Sequence, residues 1–586
     1  MFCLGCGCER CHVEVEKNFV GSMSQSRKTI FATYARLWCC TESLLHIHDP
    51  FLAPHRYHLY VQAVLFTLAF ARPSRHTVAA AMAARIIMYW IQLPRIWDSC
   101  VWSNATDLVF VITCLLVTKA EDVLPICGEQ ICVQMGLFYI GAGFWKLNTS
   151  FLNPLVSCSS IYVASLLAFL PAPLTPAWFI RPALASAPLM TIFGELALGV
   201  SLLLPYQSTR RVGVVLAALL HYAIAITPHP NQVAAFGVFC VTRLFVVMPE
   251  SWSQAIRESL TVPSTPLSMT LRLVALTLIC ASVQCTSTPG VYIDWCIPCQ
   301  TALCLIGARA VALDVASPPS TPPPPPVLPP GRAALVRYGR WLATLLTAFY
   351  VFGFQLLGLM DISATSPFSH IRQHGGSNHL LVPTSLLLQW PQSAAHIDAF
   401  HGGIVRVAYT TSESLNALYP ADGTDELQPR IVDLLTTSGH IARQFTPTVQ
   451  TMLGHAIRTQ IPHWTPASGR PFGRYTLPAV QLRRMLADAR AHNESFELRY
   501  EHLPGVVGDE AWRRTAIASQ VHVREDGRGG ISCRVRPRGK LLWTACAPDE
   551  LALLPPPTGP LLKILLWFPY PILDELEGSE LLPCMD

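Results

Sequence analysis

The sequence predicts a mainly α-helical, multi-pass transmembrane bundle followed by a C-terminal extramembrane domain of mixed α/β, strand-rich character. Of its 586 residues, 51% are hydrophobic and only 13% are charged, whereas soluble domains carry about 25% charged residues. Residues 361–586 hold 20 Lys and Arg against 22 Asp and Glu, and residues 1–360 hold the remaining 22 against 15. An apolar, basic first part and a polar second part are typical of a membrane bundle joined to one further domain.

We expect about eight spans, plus or minus two, because each needs roughly 20 mostly apolar residues. The better candidates are 76–94, 188–205, 211–227, 232–248, 268–284 and 335–360. The weaker candidates, which are shorter or interrupted by Pro, His or Lys, are 30–46, 57–71, 105–118, 131–147, 155–170 and 296–314. The predicted organisation is a Cys-rich polar tail (1–28), the bundle (29–314), a Pro-rich loop (315–333), a last transmembrane helix (334–360) and the extramembrane domain (361–586).

The C-terminal domain shows both strand and helix patterns. Apolar and polar residues alternate in 403–410 and 520–525, as in half-buried strands. The turn signal EDGRGG precedes ISCRVR (531–536), which predicts a hairpin. Residues 477–492 have apolar positions at helical spacing with charges opposite them. A sheet with at least one helix packed near it is therefore expected.

The cysteines give two further expectations. The opening CLGCGCERCH (3–12) has a spacing that suits zinc or palmitoylation. One short cluster without a second half is a weak metal signal, so we expect no metal. Cys533 and Cys546 flank a short strand-like unit and are able to pair if the domain faces an oxidising lumen.

The segment 130–148, QICVQMGLFYIGAGFWKLN, carries the most chemistry. At helical spacing its Cys132, Gly136, Tyr139, Gly143 and Lys146 share one face. The small residues of that face predict close approach by a neighbouring helix. The same face would then carry a phenol and an amine into the bundle.

Lys146 has two interpretations. Its amine either snorkels to the lipid headgroups or points inward, where burial favours the neutral form and makes it a general base for a lipid-soluble acid. Glu195 and His221 also lie inside apolar runs and are functional candidates for that reason. Glu195 either holds Lys146 charged in a structural ion pair or orients it as a base, while Arg85 is expected to be a structural partner.

Three segments, in order, resemble the vitamin K-dependent gamma-carboxylase family and its wider group, the horizontally transferred transmembrane (HTTM) domain. AGFWKLNTSFLNP (142–154) resembles the family's Ala-Gly-x-x-Lys-Leu stretch. RRVGVVLAALLHYAIAI (210–226), followed by HPNQVAAFGVF (229–239), is similar to its Arg-x-x-Gly…His segment. FSHIRQHGGSNHLLVPT (368–384) is similar to a Gly-Gly-x-Ser-Asn-His segment beyond the last span. The family's Asn-Asn-His-x-Tyr segment is absent, and 96–110 occupies its place without a His.

The resemblance implies an intramembrane enzyme that deprotonates vitamin K hydroquinone or a related quinol. Its epoxidation would drive carboxylation of glutamate in a protein substrate. Within the matching motifs, Lys146 corresponds to the family's base and His221 to its later His. The predicted site residues are Lys146 and His221 as catalytic groups and Tyr139, Glu195, Asn378 and His379 as substrate-binding groups.

Two alternatives stay open. In the first, the chain is a non-catalytic HTTM scaffold or anchor whose C-terminal domain binds a partner, and Lys146 and Glu195 are a buried structural pair. A membrane quinone reductase using Cys296 and Cys299 of WCIPC is the more distant one. Membrane lipid is an expected partner and nucleic acid is not, since no basic run interleaves with aromatic residues. The predicted location is a membrane, with the endoplasmic reticulum as one candidate.

Overall fold

The structure is a computed structural model. It describes residues 9–48, 56–92, 98–228, 233–261, 263, 265–286, 295–317, 326, 328–356, 368–371, 378–382, 404–412, 415, 420–422, 427–442, 444–447, 475–503, 520–537, 540–555, 572–573 and 581–585. The first eight residues, which include three of the four N-terminal cysteines, lie outside this set, as do most of the Pro-rich run and residues 383–403.

The first part of the chain is a helix bundle. Its helices are α1 (Glu9–His48), α2 (Arg56–Ala71), α3 (Arg75–Gln92), α4 (Asp98–Leu116), α5 (Val123–Trp145), α6 (Thr149–Leu152), α7 (Cys158–Leu167), α8 (Ala177–Leu203), α9 (Gln207–Ala225), α10 (Ala234–Arg243), α11 (Pro249–Leu260), α12 (Pro266–Thr286), α13 (Cys296–Ala316), α14 (Pro330–Ala348) and α15 (Phe354–Leu356). A π-helical stretch, Phe349–Gly353, joins the last two.

The predicted number of about eight spans is wrong for the described residues. Four helices there are long and apolar enough to cross a membrane: Ala120–Trp145, Ala177–Leu203, Pro266–Gln284 and Cys296–Ala316. A fifth is possible if Ala234–Val247 and Pro249–Leu260, which meet at a 117° bend, count as one span. The excess came from helices that are too short, such as the 16-residue α2, or that carry several arginines, such as α14.

Of these spans, α5 is the most central. In its most apolar window 72% of the residues are buried, against 6% in the corresponding window of α12. Apolar residues surround the whole circumference of α5, which is the pattern of a helix enclosed on all sides. Functional groups on α5 are therefore held inside protein, while α12 presents its side chains outward.

The described residues of the C-terminal part form two sheets and two α-helices. Its strands are β1 (Ile404–Thr410), β2 (Pro420–Asp422), β3 (Gln444–Pro447), β4 (Tyr475–Pro478), β5 (Ser495–Leu503), β6 (Gln520–Asp526), β7 (Ile531–Arg536), β8 (Thr544–Ala545), β9 (Ile572–Leu573) and β10 (Cys584–Met585), and its helices are α16 (Pro429–Thr437) and α17 (Ala479–Ala491). The larger sheet has the order β8-β7-β6-β5-β1-β4-β9 and the smaller one β10-β3-β2.

Several local predictions for this domain are confirmed. Strands β6 and β7 form the expected antiparallel hairpin, with Val523 opposite Cys533. Cys533 and Cys546 are disulfide-bonded. The apolar face of α17 packs on the larger sheet through Leu482 and Leu486, both fully buried.

A separate apolar cluster joins the two parts. Ile161 of α7 and Leu184 of α8 pack with Ile431 and Leu435 of α16. A disulfide between Cys158 and Cys584 crosses the same contact. The C-terminal domain is thereby attached to the end of the bundle at which α5 finishes.

Candidate functional site

The crossing of α5 and α8 positions the candidate site. A Cβ atom built on Gly199 would lie 2.7 Å from the Gly136 carbonyl oxygen, and one on Gly143 would lie 3.2 Å from that of Ile192. Those distances leave no room for a side chain at Gly199. The close approach predicted from the small residues of α5 is confirmed, and α8 is the helix that approaches.

This crossing brings Lys146 and Glu195 together. The Lys146 Nζ donates to Glu195 Oε1 at 2.9 Å and lies 3.4 Å from the Ala142 carbonyl oxygen. The Lys146 residue is 4% exposed and Glu195 is 8% exposed. Lys146 therefore points into the protein and does not snorkel.

One atom of this pair has no partner. Glu195 Oε2 is buried and accepts no hydrogen bond among the described residues. A buried acceptor without a donor costs about 1–3 kcal/mol, so native structures seldom keep one without reason. In the Lys146–Glu195 pair, the carboxylate oxygen Oε1 is thus hydrogen-bonded, whereas Oε2 is able to accept a further hydrogen bond.

Tyr139 and His221 form a second polar contact, about two helical turns before Lys146 along α5. The Tyr139 hydroxyl lies 2.6 Å from His221 Nε2. The other ring nitrogen of His221, Nδ1, is buried without a partner in the described part of the chain. Phe236 packs edge-on against the imidazole, with ring centroids 5.3 Å apart. Four of the six predicted residues therefore form two bonded pairs, each joining the inward face of α5 to a neighbouring helix: Lys146 to Glu195 of α8, and Tyr139 to His221 of α9.

Asn378 and His379 belong to a short segment that crosses the C-terminal end of α5. We call residues 378–382 the strap. Its backbone accepts from Thr149 N at 3.1 Å and donates from Leu380 N to the Leu147 carbonyl at 2.9 Å. The His379 Nε2 lies 2.9 Å from the Phe144 carbonyl oxygen, so the strap completes the hydrogen bonding that the helix end leaves open.

The side chains of the strap are also engaged. His379 Nδ1 accepts from the backbone of Leu381 and Val382 at 3.2 and 3.1 Å. The Asn378 amide donates to the His370 carbonyl at 2.8 Å. Both residues therefore lie next to the Lys146 end of α5, but these bonds occupy both ring nitrogens of His379.

His370 links the strap region to the disulfide. Its Nε2 accepts from Cys158 N at 3.0 Å, and its Nδ1 lies 3.2 Å from the Leu582 carbonyl. Burial lowers the pKa of His370 to about 4, because the charged form would lose its solvation there. The sulfur atoms of Cys158 and Cys584 lie near this ring, but they are bonded to each other.

Asn148 is the residue of this region that the sequence reasoning missed. It caps α6 by accepting from Phe151 N at 2.8 Å, and its amide donates to the carbonyls of Trp145 and Ser369. The available signal was its place before Thr149 and Ser150, since Asn is a preferred N-cap residue. These hydrogen bonds of Asn148 hold the turn that follows Lys146 in place.

A second buried charge group lies deeper in the bundle. We call Glu42, Arg85, Asp107 and Arg243 the arginine–carboxylate cluster. Arg85 Nε lies 2.6 Å from Glu42 Oε2, and Arg243 Nη2 lies 2.9 Å from Asp107 Oδ1. Arg85 and Arg243 each contact both carboxylates. Further bonds run from Arg85 to Ser103 and Asn104 and from Arg243 to Thr106.

This cluster confirms Arg85 as a structural partner and adds Glu42 and Arg243, which sequence reasoning passed over. Two positive and two negative groups balance there, and every carboxylate oxygen of Glu42 and Asp107 lies within ion-pair distance of a guanidinium nitrogen. The signal available in the sequence was Arg243 within VFCVTRLFVV, a charge inside an apolar run.

Cys296 and Cys299 lie in the first turn of α13, and both are thiols.

Comparison with known proteins gives one match. A family model described as a domain of unknown function, DUF8388, matches residues 377–563. No curated protein matches the chain, and no solved structure does. The matched region begins one residue before the strap and covers most of the C-terminal domain.

Proposed function

We propose that the bundle binds a lipid-soluble molecule with an acidic hydroxyl group, such as a hydroquinone, at the Lys146–Glu195 pair and accepts its proton there. The observation that carries the proposal is Glu195 Oε2, a buried acceptor for which the described residues supply no donor. A ligand hydroxyl is the group that would complete it. The four candidate spans are compatible with an integral membrane protein, whose substrate would enter from the bilayer.

The pair acts as one acid–base group. Lys146 holds Glu195 in place at Oε1 and supplies positive charge beside it. Glu195 then receives the proton at Oε2, and Lys146 offsets the negative charge that the ligand oxygen acquires. Because such charges are screened little inside protein, the positive charge of Lys146 would stabilise the ligand oxyanion strongly.

Tyr139 and His221 supply the second polar group of the proposed site. His221 has a ring nitrogen available at Nδ1, while Tyr139 fixes the orientation of the ring through Nε2. A hydroquinone carries two hydroxyl groups, and two separate polar pairs along one face of α5 suit such a molecule. The strap closes the end of this face.

The complete reaction implied by the carboxylase resemblance stays part of the proposal. It requires oxygen for epoxidation of the quinol and carbon dioxide for addition to glutamate. The residues named here account for proton removal and for nothing beyond it. The endoplasmic reticulum and a glutamate-containing protein substrate are likewise predictions from the resemblance.

The test measures binding in lipid nanodiscs. The probe is a naphthohydroquinone with an isoprenoid tail, and its dimethyl ether, which has no hydroxyl proton, is the matched ligand. We expect the hydroquinone to bind and the ether to bind at least tenfold more weakly, the equivalent of about 1.4 kcal/mol. Equal binding of the two ligands would overturn the proposal.

The matched variants are K146M/E195L and R210Q/E129Q. The first removes the buried pair and keeps apolar bulk, a change that is often neutral for stability. The second removes the Arg210–Glu129 pair, in which the glutamate side chain is 48% exposed. We expect both variants to fold. K146M/E195L should lose hydroquinone binding, whereas R210Q/E129Q should keep it. If the wild type forms an epoxide, R210Q/E129Q should form it too and K146M/E195L should not.

The second candidate is a non-catalytic scaffold in which Lys146 and Glu195 only hold α5 against α8. The direct 2.9 Å contact between the two residues favours it. This candidate predicts that K146M alone lowers the melting temperature, that K146M/E195L restores it, and that the wild type binds hydroquinone and ether equally. The ligand pair therefore separates the two candidates without relying on stability.

A further inference from the structure

A groove of about 620 Å³ opens between the first turns of α5, the first half of α14 and the end of the Pro-rich segment. Pro125, Val133, Leu328 and Val336 form its apolar wall, and Trp341 lines it with an indole that is 66% exposed. Its volume lies within the range of sites that bind small ligands. Beside the groove, Gln130 of α5 donates to Thr344 Oγ1 of α14 at 3.1 Å and joins the two helices.

Two arginines of α14 also line this groove. Arg340 donates to the Ile126 carbonyl, yet its buried Nε has no hydrogen-bond partner in the described part of the chain. Arg337 is exposed and lies over the Tyr338 ring, 5.8 Å from its centroid. Neither arginine has a carboxylate within ion-pair distance among the described residues. Two cations therefore face an apolar groove without anionic compensation from the part of the chain that the structure describes.

The groove lies near the end of a candidate span. Ile126 is the fourth residue of α5, so its carbonyl lies about 6 Å from the start of that helix. The same end of the bundle carries Arg332, which donates to the Leu116 carbonyl, and Arg210. Arg210 is paired with Glu129, so Arg337 and Arg340 are the arginines of this end that line the groove without a carboxylate partner among the described residues.

We propose that this groove binds an anionic phospholipid, with the phosphate between Arg337 and Arg340 and an acyl chain along Val336 and Trp341. Guanidinium groups bind phosphate through paired N–H donors, and basic grooves between membrane helices recognise anionic headgroups. Arg340 Nε supplies a donor that no described residue uses. The site is separate from the Lys146–Glu195 pair and does not depend on the function proposed for it.

Delipidated protein in detergent tests this proposal by thermal shift and by native mass spectrometry. Phosphatidylglycerol is expected to raise the melting temperature and to stay bound, whereas phosphatidylcholine does neither. R337Q is the deciding variant, because Arg337 makes no hydrogen bond among the described residues that its loss would break. We expect its apparent affinity for phosphatidylglycerol to fall about fivefold.

R257Q is the matched control, since Arg257 is an exposed arginine of α11 outside the groove. It is expected to bind phosphatidylglycerol as the wild type does. Equal stabilisation by phosphatidylcholine, or an unchanged affinity in R337Q, would overturn the proposal. Inorganic phosphate that stabilises the protein as well as phosphatidylglycerol would identify a free-anion site and overturn the lipid assignment.

Discussion

The two buried charge groups of the bundle differ in how completely their atoms are bonded. In the arginine–carboxylate cluster, each carboxylate contacts both guanidinium groups. In the Lys146–Glu195 pair, one carboxylate oxygen is bonded to the amine and the other has no described partner. Burial of charge is therefore poor evidence of function by itself, whereas an unused buried acceptor points to a ligand.

The two groups also differ in their surroundings. The cluster joins α1, α3, α4 and α10 in the middle of the bundle, where the side chains of Arg85 and Glu42 are almost wholly enclosed. The pair lies at the end of α5, beneath the strap and close to the Cys158–Cys584 disulfide. We infer that the first group holds the helices together.

The largest expected effect is that of R243M. It leaves Glu42 and Asp107 facing a single guanidinium group, and an uncompensated buried charge costs about 3–5 kcal/mol. We expect little monodisperse protein after detergent extraction and a much lower melting temperature in what remains. R210Q, which breaks a partly exposed ion pair, should cost less than about 1 kcal/mol. Similar losses in the two variants would contradict the structural role of the cluster.

An intermediate effect is expected from C158S/C584S. Removing this disulfide should lower the free energy of unfolding by about 2–4 kcal/mol and loosen the attachment of the strap region. Hydroquinone binding at the Lys146–Glu195 pair should weaken as well. The control is C533S/C546S, whose cysteines are 13 residues apart at the β8–β7 edge of the larger sheet. If that control weakened binding as much, the strap would have no special role.

The smallest effect is a pH dependence of stability that originates in His370. Its pKa of about 4 in the folded protein lies below the value near 6.5 of an exposed imidazole. The unfolded chain then binds the proton more readily, so stability is complete above pH 6.5 and is lost as the pH falls toward 4. The loss is at most about 3 kcal/mol at pH 4.

This pH dependence is measured from melting temperatures between pH 4 and pH 7.5. H370Q should reduce the slope, because Gln does not titrate, whatever its effect on stability at neutral pH. Part of the slope should remain, because burial also lowers the pKa of His440 to about 4. The control H492Q replaces an exposed His at the end of α17 and should leave the slope unchanged. An equal slope in H370Q and the wild type would show that the acid sensitivity arises elsewhere.

The local part of the site could be predicted from the sequence. The spacing of Gly136, Tyr139, Gly143 and Lys146 is enough to place all four on one buried face, because helical periodicity is a property of neighbouring residues. The same reason explains the hairpin of β6 and β7 and the helix α17. Glu195 was a candidate because a carboxyl in an apolar run is costly without a partner.

The non-local part could not be predicted. Which cation meets Glu42, or which thiol meets Cys584, depends on packing between segments far apart in the chain. The number of spans was overestimated for a related reason. A hydropathy pattern records that α9 and α14 are partly apolar, but not that their arginines lie at one end of a bundle, where Arg210 pairs with Glu129.

The bond between Cys158 and Cys584 joins residues 426 positions apart. It closes the chain from α7 to β10 into one covalent ring that contains the Pro-rich segment and the larger sheet. A single proteolytic cut anywhere in that ring would leave the protein as one molecule until a reductant separated the pieces. A reducing gel would therefore show separate fragments even where the disulfide still joined the two parts of the nicked protein.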